Sequence, residues 1–324
     1  MSLRRRSLVL LGAAGVAAPH WLHAQGAWPT KPVRIVVPFA AGGTTDILAR
    51  ALAPELGKAF GQTFIIENKP GASAQIAAEL VAKSPADGYT LMLTTNTAHS
   101  ANPYLFKSLR YDPIRDFTPI ARVVYIPYVL VVRPDSAVGS AAALQRDLRA
   151  NPGKLNYGYG NSTSQVATAA FLQRAGGEAV AVPFKSMPPV IAELMGGRLD
   201  FAFVDLTSAH AHMKAGQVKP IAFTLAKRSS QMPDIPAVAE TPGFAGYEVT
   251  SWIGVVGPAG MPRDVVTALN AEINRILARN DIRARLGELG AETAPGTADE
   301  FAAFLRQQLD SWRTKITAAG IEPE

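Results

Sequence analysis

The sequence predicts an α/β fold with mainly parallel sheets in two domains, and three observations carry that reading. Short β-branched, apolar stretches alternate with amphipathic helical ones along the chain. A layout of strand, glycine-rich loop and helix occurs twice, in "VRIVVPFAAGGTTDILAR" from residue 33 and in "YGYGNSTSQVATAAF" from residue 157. The chain, at 324 residues, also exceeds the usual extent of one core, so two domains of roughly 100–200 residues are expected.

Taken in order, strands are expected at 33–37, 64–67, 90–94, 129–132, 155–159, 180–184, 201–204 and 221–225, with another near 253–256, because each is a short apolar or alternating run bounded by turn residues. Helical spacing of apolar residues places helices at 46–59, 73–82, 140–150, 164–174, 188–195 and 265–278. In a last helix at 298–319, Phe301, Phe304, Leu305, Leu309, Trp312 and Ile316 recur every three, four or seven positions and form one apolar face. Turn chemistry separates these elements at "SPADGY", "RPDS", "NPG" and "MPDIP".

The first 24 residues read as a secretory leader: Arg4 to Arg6, a short apolar run from Leu8 to Ala18, and a small residue, Ala24, ahead of "QGAWP". The pair Arg5-Arg6 also permits twin-arginine export, although plain positive charge explains it equally well. Removing the leader lowers the formal charge from +6 to +3, and the remaining basic residues are scattered, which argues against nucleic-acid binding. No later segment reaches the length of about 18 apolar residues needed to span a bilayer. Cysteine is absent, so neither a disulfide nor a lipid-modified cysteine is available in an oxidising compartment.

The two glycine-rich loops are the candidate site. Where a parallel strand hands over to a helix, the first amides of the helix lack partners and sit at the positive end of its dipole. An anion placed there needs no lysine or arginine. In Phe39-Ala40-Ala41-Gly42-Gly43-Thr44-Thr45-Asp46, the glycines allow close approach and the threonines add hydroxyl donors, while Asp46 is suited to fixing the loop. Gly160, Asn161, Ser162, Thr163 and Ser164 supply more donors than one helix cap requires. Hydrogen bonds to a charged group contribute roughly 1.5–3 kcal/mol each, so four or five of them reach micromolar affinity, about −8 kcal/mol, after the cost of association. Asp205 follows the apolar strand "FAFV" and either caps the next helix or reads a donor on the ligand; Thr95, Asn96 and His99 end another strand at the same edge, with the same two readings.

Other chemistries find little support. The first loop lacks both the Gly-Lys-Ser/Thr ending of a nucleotide-phosphate loop and the third glycine of a dinucleotide fingerprint. His210 and His212, two apart on a helix, point away from each other and make a poor metal pair. No serine-nucleophile elbow or zinc-protease motif occurs. Lys185 reads as a solvated lysine or an anion contact, and Trp252 as core packing at an interdomain crossover.

The chain resembles the tripartite tricarboxylate transporter substrate-binding proteins, also called the Bordetella uptake gene family of periplasmic solute receptors. The resemblance runs in order through "WPTKPVRIVVPFAAGGTTDILAR", "ENKPGASAQIAAELVAKSPADGYTL", "NYGYGNSTSQVATAAF", "VPFKSMPPVIAELMGGRLDFAFVD", "IPAVAETPGF" and "SWIGVVGPAGMP". It implies a two-lobed type II periplasmic binding protein with a hinged cleft. Lobe 1 would be discontinuous, 25–126 plus 227–324, with lobe 2 at 127–226 and crossovers near 125–129 and 225–228. The resemblance also implies a non-enzymatic, cofactor-free monomer in the periplasm that captures a small carboxylate and delivers it to the membrane permease subunits of a tripartite tricarboxylate-type transporter. Presentation of the ligand to a membrane sensor kinase is the alternative, and a secreted hydrolase a third. Ligand contacts carry over to Phe39, Gly43, Thr44 and Asp46 from one lobe, to residues 160–164 from the other, and to Asp205 at the ligand's distal end. The sequence departs from the family pattern at Ala40-Ala41, at Gln165 and at Phe184-Lys185-Ser186.

Overall fold

The computed structural model describes residues 28–229 and 232–324; the expected leader at 1–24 lies outside the described residues. Strand β1 (Val33–Val37) pairs in parallel with β2 (Phe64–Asn68) and β3 (Thr90–Thr95), joined through helices α1 (Thr44–Phe60) and α2 (Gln75–Ala82). After α3 (Asn102–Leu105) comes β4 (Phe117–Val132), then α4 (Ala141–Ala150), β5 (Leu155–Tyr159), α5 (Ser162–Ala175), β6 (Ala179–Pro183), α6 (Met187–Met195), β7 (Phe201–Asp205), α7 (Leu206–Lys214) and β8 (Lys219–Phe223). The chain returns through β9 (Thr250–Pro258), α8 (Arg263–Ala278), α9 (Asn280–Glu288), the short β10 (Glu292–Thr293) and α10 (Ala298–Ala318). Strands run in the order β2-β1-β3-β9-β4-β7-β5-β6, with β8 and β10 also on β4. The strand-helix repeats pair in parallel, β5 with β6 and β7 included, whereas the connecting strands β4 and β9 pair antiparallel.

Strand β4 is far longer than the run at 129–132 that its sequence suggests. Pro119, Arg122 and Pro127 interrupt the apolar pattern; the ladder absorbs the first two through register shifts at 119–121 and 122–124, and Pro127 is the last β4 residue paired with β9. Its first part, Phe117 to Pro127, pairs with β9 in one sheet, and its second part, Tyr128 to Val132, with β7 and β8 in the other. A fully buried threonine clasps the two connections: Thr224 N–H donates to Tyr128 O (2.9 Å), its hydroxyl bonds the same carbonyl (3.1 Å), and Val249 N–H donates to Thr224 O (3.0 Å).

Each sheet is covered on both faces. Leu48, Leu52 and Leu56 of α1 meet Leu269, Ile273 and Ile276 of α8 on one side of the first sheet, while Ala77 and Val81 of α2 meet Trp252 and Phe301 on the other. The second sheet is sandwiched between α4 and α5, through Leu144, Val166 and Phe171, and α6 with α7, through Val190, Leu194 and Leu206. This is the layered α/β two-lobed architecture. Packing crosses the expected boundary at 226, because Phe244 and Tyr247 stack on Phe171 and Phe203 in the second cluster. Helix α10 begins with a reciprocal cap, Thr297 Oγ1 accepting from Glu300 N–H (3.1 Å) and the Glu300 carboxylate from Thr297 N–H (2.8 Å). It then spans both lobes, with Phe301 and Leu305 in the first core and Trp312 and Ile316 in the second.

Trp312→Ala removes a large buried side chain, so a loss of about 3–5 kcal/mol in stability is expected, read from denaturation midpoints. A midpoint indistinguishable from that of the parent would contradict the placement of α10 as a shared core element.

Candidate functional site

The first glycine-rich loop is held open by its own polar groups. Gly43 N–H donates to Ala40 O (3.3 Å), closing a turn in which Gly42 takes a left-handed φ of 80°, a position that favours glycine. Asp46 braces this turn from the first turn of α1: Oδ2 accepts from Gly42 N–H (2.9 Å) and Arg50 Nε (2.9 Å), and Oδ1 accepts from Asn68 Nδ2 (3.1 Å). Asn68 Nδ2 also reaches Phe39 O (3.1 Å). Desolvation pushes the Asp46 carboxyl up, but the bonds from Arg50, Gly42 and Asn68 outweigh it and hold the group below its ordinary value. Asp46 is thereby spent on the loop and does not line the cleft, which leaves Gly43, Thr44 and Thr45 facing it.

The second loop follows the same plan with a different brace. Asn161 caps α5, its Oδ1 accepting from Ser164 N–H (3.0 Å) and from the Tyr128 hydroxyl (3.0 Å). Ser164 Oγ donates to Asn161 O (2.9 Å) and accepts from Gly160 N–H (3.2 Å), so this serine closes the loop and does not face the cleft. Ser162 is buried against Asn102, and only Thr163 of the three consecutive hydroxyl residues lines the cleft. Gly160 packs directly on the backbone of Ser186 and Met187, where a Cβ would collide.

The two loops face each other. Thr44 donates its hydroxyl to Asp205 Oδ1 and lies 3.0 Å from Ser208 Oγ, and Asn96 Nδ2 donates to Thr163 Oγ1 (2.6 Å). Around these bridges the cleft is lined by Phe39, Gly43, Thr44, Thr95, Gly160, Asn161, Thr163 and Asp205 of the residues expected from sequence. Ala40, Asp46, Asn96, Ser162 and Ser164 stand behind that surface as braces. Thr45, Tyr128, Ser186 and Ser251 add further polar groups, Thr97, Ile126, Met187 and Ile253 also line it, and the buried Thr45 hydroxyl has no partner among the described residues. The free space is ≈ 30 Å³, room for about one water.

Among the described residues, no lysine, arginine or histidine lines this cleft, and its one acidic side chain is Asp205. Asp205 caps α7 through Ser208 N–H (2.9 Å), the first of its two sequence readings, and it also lines the cleft. Burial pushes its carboxyl above the ordinary value despite the donors from Thr44 and Ser208. Tyr128 beside it is pushed up as well, by burial first and the Asp205 charge second. His99 is fully buried with Nδ1 on the Thr94 hydroxyl (2.7 Å), and burial lowers it to about 3, so it stays neutral and structural. Trp252 is core, edge-on to Phe301 and Phe304. No cluster of three metal-ligating side chains occurs among the described residues.

Residues 48–321 match the family described as the tripartite tricarboxylate transporter family receptor. The chain belongs to this receptor family. Among solved structures, the R. palustris protein Rpa4515 with adipate is 36% identical, with a TM-score of 0.89, over 92% of this chain and 100% of that one. The periplasmic binding protein BugD is 32% identical, with a TM-score of 0.86, over 92% and 100%. MatC from Rhodopseudomonas palustris with bound malate is 30% identical, with a TM-score of 0.84, over 89% and 100%. Family and neighbours are solute-binding proteins, and among the described residues of this receptor no helix is long and apolar enough to cross a membrane.

Two substitutions test the receptor's cleft. An acid whose folded-state pKa lies above its unfolded value binds more protons when folded, so its contribution to stability falls as pH rises through that interval. Asp205→Asn removes this loss and keeps an oxygen acceptor for Thr44 and Ser208. Its melting point is expected above that of the parent at neutral pH, the two converging as pH falls towards about 4; melts across a pH series decide it. Gly160→Ala forces the loop away from Ser186 and is expected to cost about 1–3 kcal/mol in denaturant unfolding.

Proposed function

We propose that this protein is a periplasmic receptor that captures a small carboxylate between its two lobes and delivers it to the permease subunits of a tripartite tricarboxylate-type transporter, without chemical turnover. The observation that carries this reading is the meeting of two helix-start loops, from opposite lobes, across a cleft of hydroxyls and amides with no basic side chain. Helix-terminal amides and hydroxyls stabilise a carboxylate without a cation, and they do so best where water is excluded. Likeness to proteins solved with adipate and with malate supports a small organic acid as the guest.

Residues 25–126 with 227–324 form one lobe in this reading and 127–226 the other, hinged where β4 changes sheets and where Thr224 clasps the returning chain. A space of ≈ 30 Å³ is too small for a dicarboxylate, so the lobes part to admit it. The guest then takes over the bonds that Thr44 makes to Asp205 and Ser208. Closure around the acid distinguishes loaded from empty receptor, and a permease that prefers the closed rim responds to that difference.

A thermal-shift screen of mono-, di- and tricarboxylates tests the reading. Ligand at a hundred times its dissociation constant adds about 2.7 kcal/mol, a rise of several degrees. At least one acid is expected to give that rise and to be recovered unchanged by mass spectrometry; flat curves across the panel, or a new product, would overturn the proposal.

A further inference from the structure

The cleft floor holds no more than one end of an acid, and the rest has an obvious place to go. A second cavity of ≈ 230 Å³ adjoins the first and shares Phe39, Gly160 and Asn161 with it. Its outer part is lined by Ser73, Gln165, Phe184, Lys185 and Glu324. Lys185 is the one basic side chain on either cavity, and among the described residues it forms no ion pair or hydrogen bond. Glu324 does not pair with it, so the ammonium group remains free for a guest.

The wall that faces Lys185 from the first lobe is an unusual turn. Gly71, Ala72, Ser73 and Ala74 have φ of 132°, 44°, 48° and 71°, a left-handed run that residues with a Cβ rarely adopt. Asn102 holds it, donating from Nδ2 to Ser73 O (2.8 Å), while its Oδ1 accepts from Ser162 Oγ (3.5 Å) of the second loop. Backbone held in such conformations persists where the surrounding fold enforces it, and it gathers at ligand clamps. Here one asparagine ties the turn to the loop that carries Gly160 and Asn161, so the second cavity is walled by both lobes.

We infer that this vestibule is a second subsite, in which Lys185 and Gln165 receive the far carboxylate of an elongated diacid whose first carboxylate lies between Thr44 and Thr163. The inference rests on the carboxylate-capture reading above and adds the length and second charge of the guest. A monoacid of the same length fills the same space and leaves the ammonium group unpaired, so the subsite discriminates between the two. Phe39 and Phe184 flank the connecting methylenes.

Calorimetric titration of the full chain with straight-chain diacids, and with the monoacid of each matching length, tests this. Lys185→Gln is expected to weaken the best diacid about tenfold or more, the loss of one charge-assisted hydrogen bond, while the matched monoacid changes by no more than about twofold. Lys185→Arg is expected to restore the preference for the diacid. Lys185 is exposed, so both variants fold, and unchanged melting points of the ligand-free proteins check it. If the parent binds acids and Lys185→Gln weakens both members of a pair alike, or neither, the subsite assignment is wrong and the capture reading stands. If the parent binds no acid in the series but another carboxylate of the thermal-shift panel, the subsite assignment is wrong and the capture reading stands; if no acid of either set binds, both fall.

Discussion

One strand, β4, belongs to both sheets and joins the frames that carry the two loops. Its first half fixes the edge of the first sheet, so that Ile126 pairs with Ser251 and both face the cleft. One residue past Pro127, Tyr128 enters the second sheet opposite Asp205 and sends its hydroxyl to Asn161, the cap of α5. The helix-start loops of the two lobes are therefore referenced to a single continuous backbone, which carries few adjustable joints. Thr224 reinforces the point where the sheets meet by bonding backbone of both connections.

The electrostatics of the cleft depend on what it lacks. A guanidinium or ammonium in this buried position would require a permanent counter-charge or suffer a large desolvation cost. Hydroxyls and amides carry no such cost, because they satisfy one another across the closed cleft, as Thr44 does with Asp205 and Asn96 with Thr163. Most of the cleft's polar groups are thus paired within the protein, the Thr45 hydroxyl excepted. Asp205 is the exception: its charge is disfavoured by burial.

The parts of this structure legible in the sequence are those whose cause is local. Glycines after an apolar strand, followed by a helical pattern, mark both loops, and Gly42 and Gly160 occupy positions that a side chain would strain or block. The division of labour inside the loops is not local. Ser162, Thr163 and Ser164 are adjacent hydroxyl residues at a helix start, and the helical rotation between neighbours sends one to Asn102, one to the cleft and one back to cap the loop. Asp46 reads as a loop brace from its position alone, whereas its burial beside Asn68 depends on the parallel pairing of β1 with β2. Tyr128, Ser186 and Ser251 escaped the sequence reading because their place in the cleft is set by pairings between distant segments. The full length of β4 was hidden for a related reason: Pro119 and Arg122 fall where the ladder shifts register, which a pattern of alternating residues does not reveal.

Helix α10 restricts how such a protein can breathe. Its N-terminal half is embedded in one core through Phe301 and Leu305, and its C-terminal half in the other through Trp312 and Ile316. A rod anchored at both ends cannot follow a wide swing of the lobes without tearing one anchorage from its packing. It tolerates rotation about its own length far more readily. The packing of both halves of α10 therefore sets a limit on how far two such cores can separate while the helix stays intact.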